Sequence, residues 1–343
     1  MGRSQAVPRE LADDGAMNAD TGTAVNERHF RAMGSDAHVI IVGGPSGLID
    51  IACRRIDELE QRWSRFVPDS EVNDLNRNAG RPVTVSSDTV LLVQRAIEAW
   101  RLTGGGFDPT ILGAVIRAGY DRSLNDIADE RPTSPISELI VGCTDIVIDG
   151  PTVCVPAGTG FDPGGIGKGL AADLVVGEML AAGAAGVCIN LGGDLRVAGD
   201  GPDGGPWTAA IEHPWLDEPV TLVGLHAGAV TTSTTLRRTW RIDGETRHHL
   251  IDPFTGEPSE SDLNLVSVIG GEAWMSEVLA KAMLLRGAAR AFDIIDTNII
   301  QALTVDDGGV VRWTPGLAAY VGATAIPPTI APMPSTSTEE DAS

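Results

Sequence analysis

Phe161-Asp-Pro-Gly-Gly-Ile-Gly-Lys-Gly-Leu170 is the stretch on which the reading of this chain turns. Its glycines let the backbone pass close to a ligand, and they open a helix whose free N–H groups attract phosphate. It is not a nucleotide P-loop, because Asp162 stands where that motif has its first glycine and Gly169, not serine or threonine, follows Lys168. Nor is it the dinucleotide fingerprint. Downstream, a helical pattern of about 15 residues leads to a strand over Val187–Leu191 and the turn Gly192-Gly-Asp194. Upstream, the short β runs Ile146–Ile148 and Thr152–Val155 flank Asp149-Gly150-Pro151, a hairpin signal. Further strands are expected near 207–212, 220–226, 229–232, 237–242 and 264–269, mostly at hairpin-length separations. Two short helices and a strand over Ile300–Val305 close the body. This mixed order with hairpin-length links predicts an α+β fold in preference to a doubly wound sheet.

The first half reads as a β-rich segment from His29 to Val42 around Met33-Gly34, then an amphipathic helix carrying Leu48, Ala52, Ile56, Leu59 and Trp63. A polar loop, Ser64 to Asn76, precedes a helix near 87–102 that stops at Gly104-Gly-Gly-Phe-Asp-Pro109, and a third helix is expected over Thr110–Ala118. Residues 1–27 and 326–343 lack periodicity and read as disordered tails around one domain, 28–325, with an acidic, turn-rich surface insertion at 120–137.

The chain has 343 residues, 43% of them apolar, which is ample for a core. A net charge of −22 excludes the basic footprint that nucleic acid or an anionic membrane surface requires. An anionic small ligand therefore needs local positive charge. Lysine is confined to Lys168 and Lys281, while arginine supplies the remaining cations. No window approaches the roughly 18 apolar residues of a membrane span. Cys53, Cys143, Cys154 and Cys188 form no CxxC pair and read as buried free thiols. With no secretory leader or lipoprotein cysteine in view, a cytoplasmic protein is expected.

Three groups of residues carry candidate chemistry. The glycine turn brings Asp162 and Lys168 together. Arg247-His-His-Leu-Ile-Asp-Pro-Phe-Thr-Gly256 places two imidazoles before a Pro–Gly turn, and His249 is the natural proton carrier or ligand contact there. Glu277 and Lys281, one helical turn apart, would ordinarily be an exposed ion pair. Here they share a side with Trp274, Val278, Leu284 and Leu285, so no clean solvent face exists for them.

Taken together, these segments resemble the ApbE family, the FAD:protein FMN transferases, over about residues 28–315. The resemblance rests on Met33-Gly34, on Ser64-Arg-Phe-Val-Pro-Asp-Ser-Glu71 with Leu75-Asn76, and on Gly105-Gly-Phe-Asp-Pro-Thr-Ile111. It continues through Asp162-Pro-Gly-Gly-Ile-Gly-Lys-Gly169, Asn190-Leu-Gly-Gly-Asp194, Val230-Thr-Thr-Ser233 with Arg237-Arg238, and His249-Leu-Ile-Asp-Pro-Phe-Thr-Gly-Glu-Pro258. It implies a two-lobed α+β fold with mixed or antiparallel sheets, flanking helices and a ligand cleft between the lobes. It also implies transfer of FMN from FAD to a threonine or serine of a partner flavoprotein, with release of AMP, and an acceptor motif similar to Asp-x-Thr/Ser-Gly-Ala-Thr. Carried onto matching positions, Met33, Phe66, Gly106, Phe107, Asp108, Asp162, Lys168 and Leu250 contact FAD. His249 and Asp162 are the catalytic positions, and Asn190 and Asp194 support the site.

The resemblance further implies Mg²⁺, held by the Gly165 carbonyl and by an Asp and a Thr in a pattern like Ala-Asp-Ala-Leu-Ala-Thr. This chain has Ser276-Glu-Val-Leu-Ala-Lys281 there. Glu277 keeps a hard oxygen, whereas the ammonium of Lys281 cannot coordinate a metal. Thr234 likewise stands where the family's Thr-Ser-Gly has glycine. Two alternatives stay open: a transferase in which Lys281, oriented by Glu277, supplies the charge of the metal, or a non-catalytic FAD-binding or flavin-storage protein that has lost the metal.

Overall fold

The computed structural model describes residues 23–122, 130–131, 142–242 and 245–321. The expected C-terminal tail, most of the expected N-terminal one and most of the expected insertion lie outside the described residues. The chain opens with β1 (Val25–Ala32), β2 (Ser35–Val42), α1 (Leu48–Trp63), α2 (Glu71–Arg77), β3 (Val83–Thr84), α3 (Ser87–Leu102) and α4 (Leu112–Arg117). There follow β4 (Glu130–Arg131), β5 (Val147–Asp149), β6 (Thr152–Cys154), α5 (Gly167–Ala181), β7 (Gly186–Leu191), β8 (Asp194–Gly199), β9 (Trp207–Ile211) and β10 (Thr221–Leu225). The described chain closes with β11 (Ala227–Thr234), β12 (Thr239–Ile242), β13 (Glu245–His248), β14 (Leu263–Gly270), α6 (Ala273–Arg286), β15 (Gln301–Asp306) and β16 (Val311–Trp313).

One eight-stranded sheet, in the order β1-β2-β7-β8-β11-β14-β15-β16, organises the fold. Every neighbouring pair in it is antiparallel. Alternation of side chains along its strands builds two cores from its two faces. Val39, Ile41, Val187, Ile189 and Leu191 pack with α1, α3 and α5, while Cys188, Val197, Val230, Leu265, Ile269 and Leu303 pack under the β9–β10 hairpin. Two small three-stranded sheets, β13-β12-β4 and β3-β6-β5, complete the α+β architecture.

Tight turns place the site residues. In the β1–β2 hairpin Ala32 pairs with Ser35, so Met33 and Gly34 form a two-residue turn with φ of 51° and 67°. That is the backbone signature of the turn whose twist matches the strands. The first strand starts at Val25, inside the segment read as a tail. The loop read over Ser64–Asn76 contains α2, started by Ser70, whose hydroxyl accepts from Asn73 N at 3.1 Å. A short polar helix of this kind has too few apolar positions to show a period.

α6 is the element that carries Glu277 and Lys281, and of its 14 residues 11 are buried. The missing solvent face inferred from the sequence is therefore real, as expected of a helix apolar all round. At its start Glu272 makes no side-chain cap. Asp173 of α5 does that work from outside: its carboxylate accepts from Ala273 N at 3.0 Å, Trp274 N at 2.9 Å and Arg196 Nε at 2.8 Å. Gly169 lets the two helices meet, since a Cβ there would stand 2.5 Å from the Ala273 carbonyl.

Candidate functional site

Four separate segments converge on the glycine turn. Its own Asp162 is pinned by Pro109, whose carbonyl accepts from Asp162 N at 2.7 Å. The Asp162 carboxylate accepts from Gly164 N at 3.0 Å and lies 3.7 Å from Arg65 Nε. Lys168, in the first turn of α5, donates to Glu277 Oε1 at 2.7 Å and also binds Asp194 at the start of β8. The second oxygen of Glu277 accepts from Gly169 N at 2.8 Å. One ammonium is thus shared by two buried carboxylates. Burial is the first cause that lifts Asp194 to about 6, opposed by Lys168 and reinforced by its repulsion from Glu277.

This arrangement overturns one expectation. Glu277 does not orient Lys281; its carboxylate is committed to Lys168 and Gly169, more than a hundred residues away in sequence. Lys281 is 8% exposed, and its Nζ reaches the Gly164 carbonyl at 3.3 Å and lies 5.6 Å from the centroid of Phe107. Its stem crosses Gly165, where an added Cβ would stand 2.9 Å from Lys281 Cδ; Gly165 also has φ of 97°. Burial lowers the Lys281 ammonium from its ordinary range, and Asp162 and Glu277 partly offset this.

The divalent cation implied by the resemblance finds no fit among these residues. An ammonium stands beside the Gly165 loop where a hydroxyl ligand is expected, and the two oxygens of Glu277 are already taken by a cation and an amide. Mg²⁺ demands near-octahedral oxygen ligands, which this set does not supply. Among the described residues, the grouping with metal-ligand chemistry lies elsewhere, at Glu27, His29 and His38 on the exposed β1–β2 hairpin.

The remaining expected positions divide. Phe107 is fully buried beneath the Lys281 ammonium, and its amide is held by Thr103 Oγ1 at 2.9 Å. Asp108 is buried and accepts from Thr110 N at 2.7 Å and Thr110 Oγ1 at 2.5 Å, which pins the turn after Gly106; burial raises its carboxyl. Phe66 is partly exposed and meets Tyr120 edge-on at 5.6 Å. Leu250 faces the core under α6, and its backbone N–H and C=O are taken by His248 Nδ1 and Ser259 N. Met33 is half-buried at the hairpin turn, and the Asn190 side chain accepts from Gly193 N at 2.9 Å within the β7–β8 turn that leads to Asp194.

The two adjacent histidines differ. His248 is consumed by the backbone, with its ring nitrogens on Ser259 O at 3.0 Å and Leu250 N at 3.3 Å. The Nδ1 of His249 is buried without a hydrogen-bond partner. Burial first, then the charges of Arg238 and Lys281, hold His249 well below the ordinary imidazole range. It is neutral at pH 7, and the same burial and charges resist its protonation. Sequence reading missed the platform next to it: the Arg65 guanidinium lies 4.2 Å from the Phe66 centroid and 4.5 Å from that of Tyr120, which stacks on Trp240 at 5.5 Å. It also missed Arg238, whose Nη2 donates to Ser35 Oγ at 2.9 Å from a residue with φ of 56°. The Arg237-Arg238 pair was the available signal.

A profile of the ApbE family matches residues 33–304. An FAD:protein FMN transferase of Vibrio cholerae is 28% identical over 263 residues, covering 74% of this chain and 79% of the relative. One of Klebsiella pneumoniae is 31% identical over 238 residues, covering 64% and 72%. The crystal structure of the ApbE protein of Thermotoga maritima superposes with a TM-score of 0.77 at 22% identity, covering 87% of this chain and all of that one. The apo flavinyl transferase ApbE of Pseudomonas stutzeri gives 0.74 at 24%, covering 89% and all of that chain.

Proposed function

The chain belongs to the ApbE family, and on that footing we propose that it is an FAD:protein FMN transferase. The hydroxyl of a threonine or serine on a partner protein attacks the FMN-side phosphorus of bound FAD. The new P–O bond forms to the acceptor oxygen, the bond to the bridging pyrophosphate oxygen breaks, and AMP leaves. The acceptor proton passes to His249, whose Nδ1 has no hydrogen-bond partner. Asp162 holds the glycine loop through Gly164 N and keeps Arg65 in place. Phe66 and Tyr120 offer aromatic surface to a ring system, and Met33, Gly106, Phe107, Asp108, Lys168 and Leu250 line or brace the ligand's path.

The observation that carries this reading is local charge. In a chain of net charge −22, Arg65, Arg238 and Lys281 gather around one glycine turn at a helix N-terminus, beside an uncharged histidine. One observation favours the second reading, a flavin-holding protein without transfer: the lysine at the position of an expected metal ligand. The test is to incubate the protein, FAD and a peptide carrying Asp-x-Thr-Gly-Ala-Thr, with and without Mg²⁺, and to measure covalent flavin on the peptide together with AMP. Both products support transfer; bound FAD with neither product supports the holding protein. The free thiols of Cys53, Cys143, Cys154 and Cys188 support a reducing compartment as its location. No described helix is long and apolar enough to cross a membrane.

A further inference from the structure

We propose that the ammonium of Lys281 takes the place of a divalent cation in this site, holding the pyrophosphate of the dinucleotide directly, so that ligand binding by this chain needs no metal. The proposal rests on the reading of FAD as ligand, and it assigns the residue that binds its charged centre.

The argument starts from unequal partners. Lys168 is saturated: two carboxylates, Asp194 and Glu277, surround its single charge, so that trio carries net negative charge and makes a poor anion hook. The acids near Lys281 are spoken for. Asp162 serves Gly164 N and Arg65, and Glu277 serves Lys168 and Gly169. What remains for Lys281 among the described residues is one carbonyl at 3.3 Å and the face of Phe107. An ammonium has three donors, so two are unused in a buried setting where an unpaired charge is costly. An anion arriving at the loop would supply what is missing.

Position makes that anion a phosphate group. The Lys281 stem lies against Gly165, three residues before Lys168, so its charge sits over the loop whose amides open the 15-residue α5. The tether also excludes the alternative occupant. A metal bound through the Gly165 carbonyl would meet a like charge held in place by packing against the loop, and its carboxylate ligand would have to leave Lys168 and Gly169. One ammonium brings one charge where a divalent cation brings two, and it does not bridge two oxygens; it serves binding more than it serves stabilisation of a leaving group.

The test is isothermal titration of FAD, and separately of inorganic pyrophosphate, into the full-length protein in EDTA and in Mg²⁺. Wild type, Lys281→Met and Lys281→Thr are compared, with melting curves to show that the variants are folded. The proposal predicts that wild-type affinities differ by less than about twofold between the two buffers. It also predicts that Lys281→Met and Lys281→Thr each lose about tenfold or more in EDTA. Tightening of the wild type by about tenfold or more on adding Mg²⁺ overturns it, as does wild-type affinity in folded Lys281→Met without metal. Failure of FAD to bind in either buffer, with pyrophosphate still bound in a Lys281-dependent way, removes the FAD reading and leaves this assignment standing. Failure of both ligands to bind removes both.

Discussion

Replacing Asp173 by alanine should cost about 3 kcal/mol of folding stability, because one carboxylate from α5 serves as the cap of α6. Two backbone amides, Ala273 N and Trp274 N, donate to it at 3.0 and 2.9 Å in a place where both residues are buried and Glu272 makes no cap of its own. Losing a helix cap costs about 0.5–2 kcal/mol, and losing a hydrogen bond to a charged group about 1.5–3. The Arg196 contact at 2.8 Å is lost as well, but Arg196 keeps the carbonyls of Val197 and Gly228, which limits that part. The burial that raises the Asp173 carboxyl works the other way, since its removal relieves a desolvation cost. Asparagine retains one acceptor oxygen and should lose about half as much. Urea unfolding followed by tryptophan fluorescence measures both variants, with an unchanged m value showing that the unfolded state is comparable. A loss below about 1 kcal/mol for alanine, or an asparagine variant as damaged as alanine, would refute the account of how α6 is held.

Glycine substitutions in and around α5 should split by what a Cβ meets. Gly169→Ala, driven against the Ala273 backbone, should lose about 3 kcal/mol or more, whereas Gly177→Ala, exposed in the same helix with nothing within 4 Å, should gain about 0.5–1 kcal/mol by the same unfolding assay. His249 predicts a pH dependence: its folded pKa is depressed, so below the ordinary imidazole range the unfolded chain takes up a proton that the folded chain refuses, and stability falls with pH. Between about pH 7.5 and 5.5 the wild type should lose about 1 kcal/mol more than His249→Asn, and equal losses would contradict the buried neutral ring.

Much of the fold was legible because its signals are local. The strand over Val187–Leu191, the glycine stop of α3 and the turn at Met33-Gly34 are written in residues a few positions apart. The buried character of α6 was legible too, since its charged pair shares a side with Trp274 and Val278. Pairings across the fold were not. Glu277 reads as the partner of Lys281 by helical spacing, yet Gly169 brings α5 close enough for Lys168 to claim it. The contact of Arg65 with the Tyr120 ring, and the anchoring of Arg238 by Ser35, join segments far apart in sequence. No local pattern announces them.

The central claim, that this chain moves FMN from FAD to a hydroxyl, is tested most directly by mass spectrometry of an acceptor peptide after incubation with the protein and FAD. The account predicts a gain of one FMN less one water on the acceptor threonine, matched by an equal amount of AMP and absent when that threonine is alanine. FAD bound and returned intact with the peptide unmodified, or FAD cleaved to free FMN and AMP without peptide labelling, would contradict it.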